Sequence, residues 1–194
     1  MKRISIIMGI VYPILTGFLT ILLYFEFNKP SPLAVGAVYG YPEIRDSLVS
    51  LYKIPHQKAT ILSFYIGFNC DRYRVPWKEA AALVKPESNF DPYALSYRGA
   101  IGYFQIMPET GMYLAHELGE PYPDTFALYN PELNIKLGIY YIAKLKLALD
   151  GNYEKAAKAY NIGIGNYWAG VALTDAEVYW QSILKEYGRL CGQK

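Results

Sequence analysis

The chain has 194 residues, 53% hydrophobic and 16% aromatic, with a formal net charge of +2. That length suits one globular domain with a sizeable core. The charge resides in the first 29 residues, so residues 30–194 balance 16 basic against 16 acidic side chains; without a basic run this argues against a nucleic-acid partner.

Two basic residues, Lys2 and Arg3, precede ISIIMGIVYPILTGFLTILLYF, residues 4–25, which carries no charge. As a helix this run spans roughly 33 Å, about one bilayer core. A cleaved leader has a shorter apolar run of about 7–15 residues, although Val35-Gly36-Ala37 offers a small-residue cleavage site. The length favours a retained signal anchor over residues 1–27. The preceding Lys and Arg place its N-terminus in the cytoplasm and the remainder outside, which predicts a single-pass inner-membrane protein with its domain in the periplasm. Residues 28–41, NKPSPLAVGAVYGY, read as a linker.

From residue 42 to 194 helix signals dominate. Pro42 opens PEIRDSLVSLY, and residues 55–69 form a second, largely apolar helix. Pro76 opens a third, VPWKEAAALVKPES, which Pro86 is expected to bend or end near residues 82–86. Pro108 starts PETGMYLAHEL, closed by Gly119. Asn130-Pro131-Glu132 supplies cap, proline and acid for a helix reaching Asp150, and along it Leu133, Leu137, Tyr140, Tyr141 and Leu145 recur at helical spacing. Asn152 caps a short helix through Tyr160. Thr174 and Glu177 have the spacing of a capping box for a last helix over 175–188. The expected class is mainly α. Cys70 and Cys191, in an oxidising compartment, fit either one disulfide or two unrelated thiols.

One carboxylate stands out. Glu87 shares a helix face with Ala80, Leu83 and Val84, and no Lys or Arg lies at helical spacing to neutralise it. A carboxyl so placed has its pKa raised by desolvation, as a general acid requires. Phe90, Phe104 and Met107 follow it, with Ser96 and Gln105 as uncharged polar groups and Gly99 and Gly102 where backbone can approach a ligand. A second cluster, AYNIGIGNYW at 159–168, breaks a helix just after Tyr160 and Asn161. Two His and no acidic cluster give no metal-ligand set, and no cofactor is expected.

Together these stretches resemble a known family. ESNFDPYALSYRGAIGYFQIMPET is similar to the signature of the SLT-type lytic transglycosylases, E-S-x-F-x-P-x-A-x-S-x-x-G-A-x-G-[LM]-[LMF]-Q-x-M-P-x-T. NPELNIKLGIYYIAKL, AYNIGIG and VYWQSILKEY resemble its later segments, in order, so the likeness covers about residues 75–187. It departs at Tyr103-Phe104, where Leu-Met is usual, and at Pro86, a non-proline position in the family.

The resemblance implies a lysozyme-like helical domain and a peptidoglycan glycan strand as partner. It further implies cleavage of the β-1,4 bond between N-acetylmuramic acid and N-acetylglucosamine, with 1,6-anhydro ends. It places the catalytic acid on Glu87 and substrate-contacting roles on Ser96, Gln105, Met107, Tyr160 and Tyr179. Asp91 and Glu109 match no second catalytic carboxylate, so Glu87 would serve as acid and then base. Two rival readings stay open: a lysozyme-type hydrolase of the same bond, and a non-catalytic, membrane-tethered wall-binding scaffold.

Overall fold

The computed structural model describes residues 40–192; the expected anchor, and all but the end of the linker, lie outside them. Among the described residues no helix is long and apolar enough to cross a membrane. The described chain is mainly helical: α1 Pro42–Tyr52, α2 His56–Tyr73, α3 Trp77–Ser88, α4 Pro108–Leu118, a 3-10 turn Thr125–Tyr129, α5 Pro131–Ala148, α6 Tyr153–Ile162, α7 Ile164–Trp168 and α8 Leu173–Leu190.

Helix α5 is central. The Asn130 side chain accepts the N–H groups of Glu132 and Leu133 at its start, and Ile135, Leu137, Ile139, Ile142 and Leu145 along it are buried. It packs against α2 on one side and α6 on another, while α8 crosses both α3 and α6 and α1 lies on α2. A hydrophobic core of this kind supplies most of the helical stability, which isolated helices of this length lack in water. Helix α3 meets α5 through the Lys146–Glu79 ion pair at 2.5 Å, both side chains largely buried. It meets α6 through the Tyr153 hydroxyl, which donates to the Glu79 carbonyl at 2.7 Å.

Two local expectations fail for tertiary reasons. Helix α3 continues through Pro86 to Ser88. Pro86 is exposed, and beyond it Ser88 Oγ bonds back to the Val84 carbonyl at 3.2 Å and across to the Tyr103 carbonyl at 2.8 Å. Asn89 then closes the helix in the left-handed conformation, φ 52°. The last helix starts at Leu173 without a side-chain cap. Glu177 makes no capping box because its carboxylate pairs with Lys158 of α6 at 2.6 Å. The disulfide alternative is not realised either: Cys70 is a buried free thiol and Cys191 an exposed one.

Between α3 and α4 the chain forms no helix. Ile101 instead makes isolated antiparallel bridges to Leu95 and to Ile106. This loop is seated by α5. Asn134, buried, accepts the Phe104 N–H at 2.9 Å and donates to the carbonyls of Ile101 and Leu128, each at 2.9 Å. One turn on, Gly138 leaves room for the fully buried Phe104 ring: a Cβ there would stand 2.2 Å from the ring. Gly138→Ala is therefore expected to cost about 3 kcal/mol by overpacking, read as a lower denaturant midpoint with an unchanged slope; a neutral effect would show that Phe104 can move aside.

Candidate active site

Glu87 sits in the last turn of α3 on the face of Ala80, Leu83 and Val84, all buried. Its Oε1 accepts a short hydrogen bond from the Tyr179 hydroxyl on α8. None of the ion pairs among the described residues uses Glu87. Burial pushes its pKa up from 4.5 to about 7, against the opposing pull of the Tyr179 hydrogen bond. A phenol stabilises a carboxylate less than a cation does, so desolvation wins. The result is a carboxyl that exchanges a proton near neutral pH.

Tyr160, at the end of α6, donates its hydroxyl proton to the Phe104 carbonyl at 2.7 Å, and its ring packs on Tyr141 of α5 with centroids 5.1 Å apart. Burial first, and then the nearby Glu87 charge, hold both the Tyr160 and Tyr179 hydroxyls well above the ordinary tyrosine pKa. Both phenols therefore stay protonated and can only donate or accept hydrogen bonds as neutral groups.

Tyr160 also lines an adjoining cavity of about 230 Å³ with Gln105, Met107, Thr110, Tyr141 and Asn161. Gln105 occupies a left-handed backbone position, φ 45°, and its side-chain amide donates to the carbonyls of Ala94 and Gly102, each at 3.0 Å. It braces the loop as well as lining the cavity. Thr110 and Tyr141 also border a neighbouring hollow of about 420 Å³, lined further by Glu109, Tyr113, Lys144 and Ile164, so the two form one groove along α4 and α5.

The structure thus brings Glu87, Tyr179 and Tyr160 together and sets Gln105 and Met107 in the wall beside Tyr160. Ser96 is placed differently: its Oγ accepts the Ala100 N–H at 2.9 Å within its own turn, and it does not line this cavity. Asp91 closes a turn by accepting the Tyr93 N–H at 2.9 Å, and Glu109 lies in the first turn of α4. Neither hydrogen-bonds to Glu87. Among the described residues no group of three His, Cys, Asp or Glu side chains could hold a metal ion.

Sequence reasoning missed Asn134, Ser88 and the role of Tyr141. A signal for two of them existed. Asn134, Gly138 and Tyr141 stand at i, i+4 and i+7 on one helix, a polar and a small residue in an otherwise apolar stripe.

Known proteins share this fold. A lytic transglycosylase Slt structure from Pseudomonas aeruginosa superposes with a TM-score of 0.62 at 21% identity, over 90% of this chain and 30% of that one. The 70 kDa soluble lytic transglycosylase of Escherichia coli gives 0.55 at 19% identity, over 87% and 37%. These show a common fold. By sequence, a membrane-bound lytic murein transglycosylase C from Actinobacillus pleuropneumoniae serotype 5b is 37% identical over 103 residues, 48% of this chain and 28% of the relative. A membrane-bound lytic murein transglycosylase F from Desulfosudis oleivorans is 35% identical over 102 residues, 50% of this chain and 20% of the relative. The chain thus spans less than a third of the length of these relatives. The Transglycosylase SLT domain profile matches residues 64–183, more than half of the chain, and the protein belongs to that family.

The raised Glu87 pKa has a thermodynamic consequence. A carboxyl whose folded pKa exceeds its unfolded one contributes stability that is fully present below the unfolded pKa, and lost as pH rises through the folded pKa. The window here is pH 4.5 to about 7. Glu87→Gln, which never ionises, should gain on the wild type across that window by on the order of 2 kcal/mol. Denaturation midpoints of both proteins measured from pH 4 to pH 8 check this, and parallel curves would show that Glu87 titrates normally.

Proposed function

We propose that the protein is a peptidoglycan lytic transglycosylase, cleaving the β-1,4 bond between N-acetylmuramic acid and N-acetylglucosamine with Glu87 as its single acid and base. The observation that carries this reading is a largely buried carboxyl, paired with no cation among the described residues and hydrogen-bonded to a phenol, in a chain of the SLT family. The printed names of the relatives, lytic murein transglycosylases, support it.

Protonated Glu87 donates its proton to the glycosidic oxygen as the bond from C1 to that oxygen breaks. The muramoyl N-acetyl oxygen stabilises the positive charge developing at C1. Glu87, now ionised, takes the proton from the sugar's own 6-hydroxyl, whose oxygen bonds to C1 and closes the 1,6-anhydro ring. The carboxyl is thereby returned to its protonated form. An attached nucleophile has the advantage of proximity over a water molecule, and one carboxyl suffices where glycosidases ordinarily use two. A pKa near neutrality lets the same group be acid and base in turn. Tyr179 orients Glu87, Tyr160 and Gln105 shape the wall against which the glycan lies, and Met107 adds an apolar contact. Ser96 supports the substrate indirectly, through the loop it closes.

Digestion of purified peptidoglycan in heavy-oxygen water tests the reaction. The new ends should be 1,6-anhydromuramoyl groups without the label; labelled reducing ends would instead establish a lysozyme-type hydrolase. Glu87→Gln should lower the rate by about 10⁴ or more, because one group serves both steps, while retained turnover would remove Glu87 from the chemistry. A wild-type protein that binds glycan without cleaving it would make the chain a scaffold.

Residues 1–27 we read as a retained inner-membrane anchor that holds the domain in the periplasm. Its uncharged run is longer than a cleaved leader carries, and the relatives' names include "membrane-bound". Full-length chain should stay in the membrane fraction through salt and carbonate washes. A processed soluble form beginning near residue 38 would overturn the anchor.

A further inference from the structure

Three aromatic rings outside the cavity pack in two pairs that share Tyr129. Tyr129, half-buried against the core, stands between Tyr93 and Phe126, with both steps 6.4 Å from centroid to centroid and planes inclined by 33° and 29°. The outer two are unusually open for their size: Tyr93 is 73% and Phe126 75% exposed. A single exposed aromatic residue needs no explanation, but two widely exposed rings packed on a shared third do.

Their backbones are fixed in the same way at each end. The Tyr93 N–H is held by the Asp91 carboxylate at 2.9 Å, and the Phe126 N–H by the Asp124 carboxylate at 2.8 Å. Tyr129 immediately precedes Asn130, the cap of α5. The group is also tied to the cavity wall. Tyr93 adjoins Ala94, whose carbonyl accepts the Gln105 amide. Leu128, between Phe126 and Tyr129, gives its carbonyl to Asn134, which also holds Phe104.

We propose that Tyr93, Tyr129 and Phe126 form a stacking platform that holds a stretch of glycan strand outside the cavity. Pyranose rings present apolar C–H faces that pack on flat aromatic rings, and aromatic side chains with two rotatable bonds on a fixed backbone lose little freedom on binding. Being neutral, the platform follows a polymer by its sugar faces rather than by charge. The inference rests on the glycan-cleaving reading above and adds a second region of contact, one that favours long strands over short fragments.

The test uses the full-length protein in detergent, in a Glu87→Gln background so that no substrate is consumed, sedimented with purified insoluble peptidoglycan. Combining Tyr93→Ala with Phe126→Ala should weaken binding roughly tenfold, while Tyr93→Trp with Phe126→Trp should preserve it. With Glu87 intact, the alanine pair should slow cleavage of insoluble peptidoglycan yet leave turnover of a short soluble glycan fragment unchanged. Sedimentation unaffected by the alanine pair would overturn the platform while leaving the catalytic reading in place. So would an equal loss on the short fragment, or an effect confined to the association of two copies of the chain. Failure of the functional reading looks different: the wild-type protein would then neither sediment with peptidoglycan nor cleave it.

Discussion

The site depends on one buried amide. Asn134 satisfies three backbone groups that lie far apart in sequence, the Phe104 N–H and the Ile101 and Leu128 carbonyls. Without it the loop over residues 89–107 would carry unpaired polar groups into the core, at about 1–3 kcal/mol for each one left unsatisfied. With it, an irregular segment is locked against the central helix as firmly as regular structure. Gly102 shows how closely: a Cβ there would meet the Asn134 side chain at 2.4 Å, and its φ of +78° suits glycine. Phe104, once seated, presents the carbonyl to which Tyr160 donates, so the wall of the cavity inherits its position from α5.

Glu87 is positioned by helices, not by that loop. It rides on α3, its phenol partner on α8 and Tyr160 on α6, and α8 packs on both of the others. Cross-ties join these helices to one another and to α5. The Lys146–Glu79 pair is largely buried, so losing either member would strand a charge, and it acts chiefly as a registration device. Lys158–Glu177 is half exposed on the acid's side and contributes little energy. Groups carried on packed helices hold their geometry better than groups on loops, which suits the acid and base role proposed for Glu87.

Much of this was legible in the sequence because local chemistry and tertiary structure agree. Pro131 and the Asn130 cap, Gly119 after α4 and Asn152 before α6 each mark a boundary that the structure keeps. Glu87 was legible for the same reason: an acid on the face of Ala80, Leu83 and Val84 is carried toward the packed side of its helix. What could not be read are pairings chosen by distant partners. Pro86 should have ended α3, but the Ser88 bond to Tyr103, fifteen residues on, holds the last turn. Thr174 and Glu177 have the letters of a capping box, and Glu177 was claimed by Lys158. Ser96 looked available for substrate, and the turn it closes had no local signature that assigned its hydroxyl to Ala100.

The same distinction explains why the tyrosines resisted interpretation from composition. Eighteen of them follow the apolar N-terminal run, and they divide by what surrounds the ring. Tyr160 and Tyr179 sit where burial and a neighbouring carboxylate keep the phenol protonated, which makes them neutral donors, Tyr179 to Glu87 and Tyr160 to the Phe104 carbonyl. A lysine in either place would pull the Glu87 pKa down and hold the carboxyl ionised, removing the acid form on which bond breaking depends. A phenylalanine in place of Tyr179 would leave the carboxyl without that donor. Tyrosine, like tryptophan, donates a hydrogen bond from a large apolar body without bringing a charge. Tyr93, by contrast, keeps its ring in water, where the flat apolar face, not the hydroxyl, is the feature a passing strand would meet.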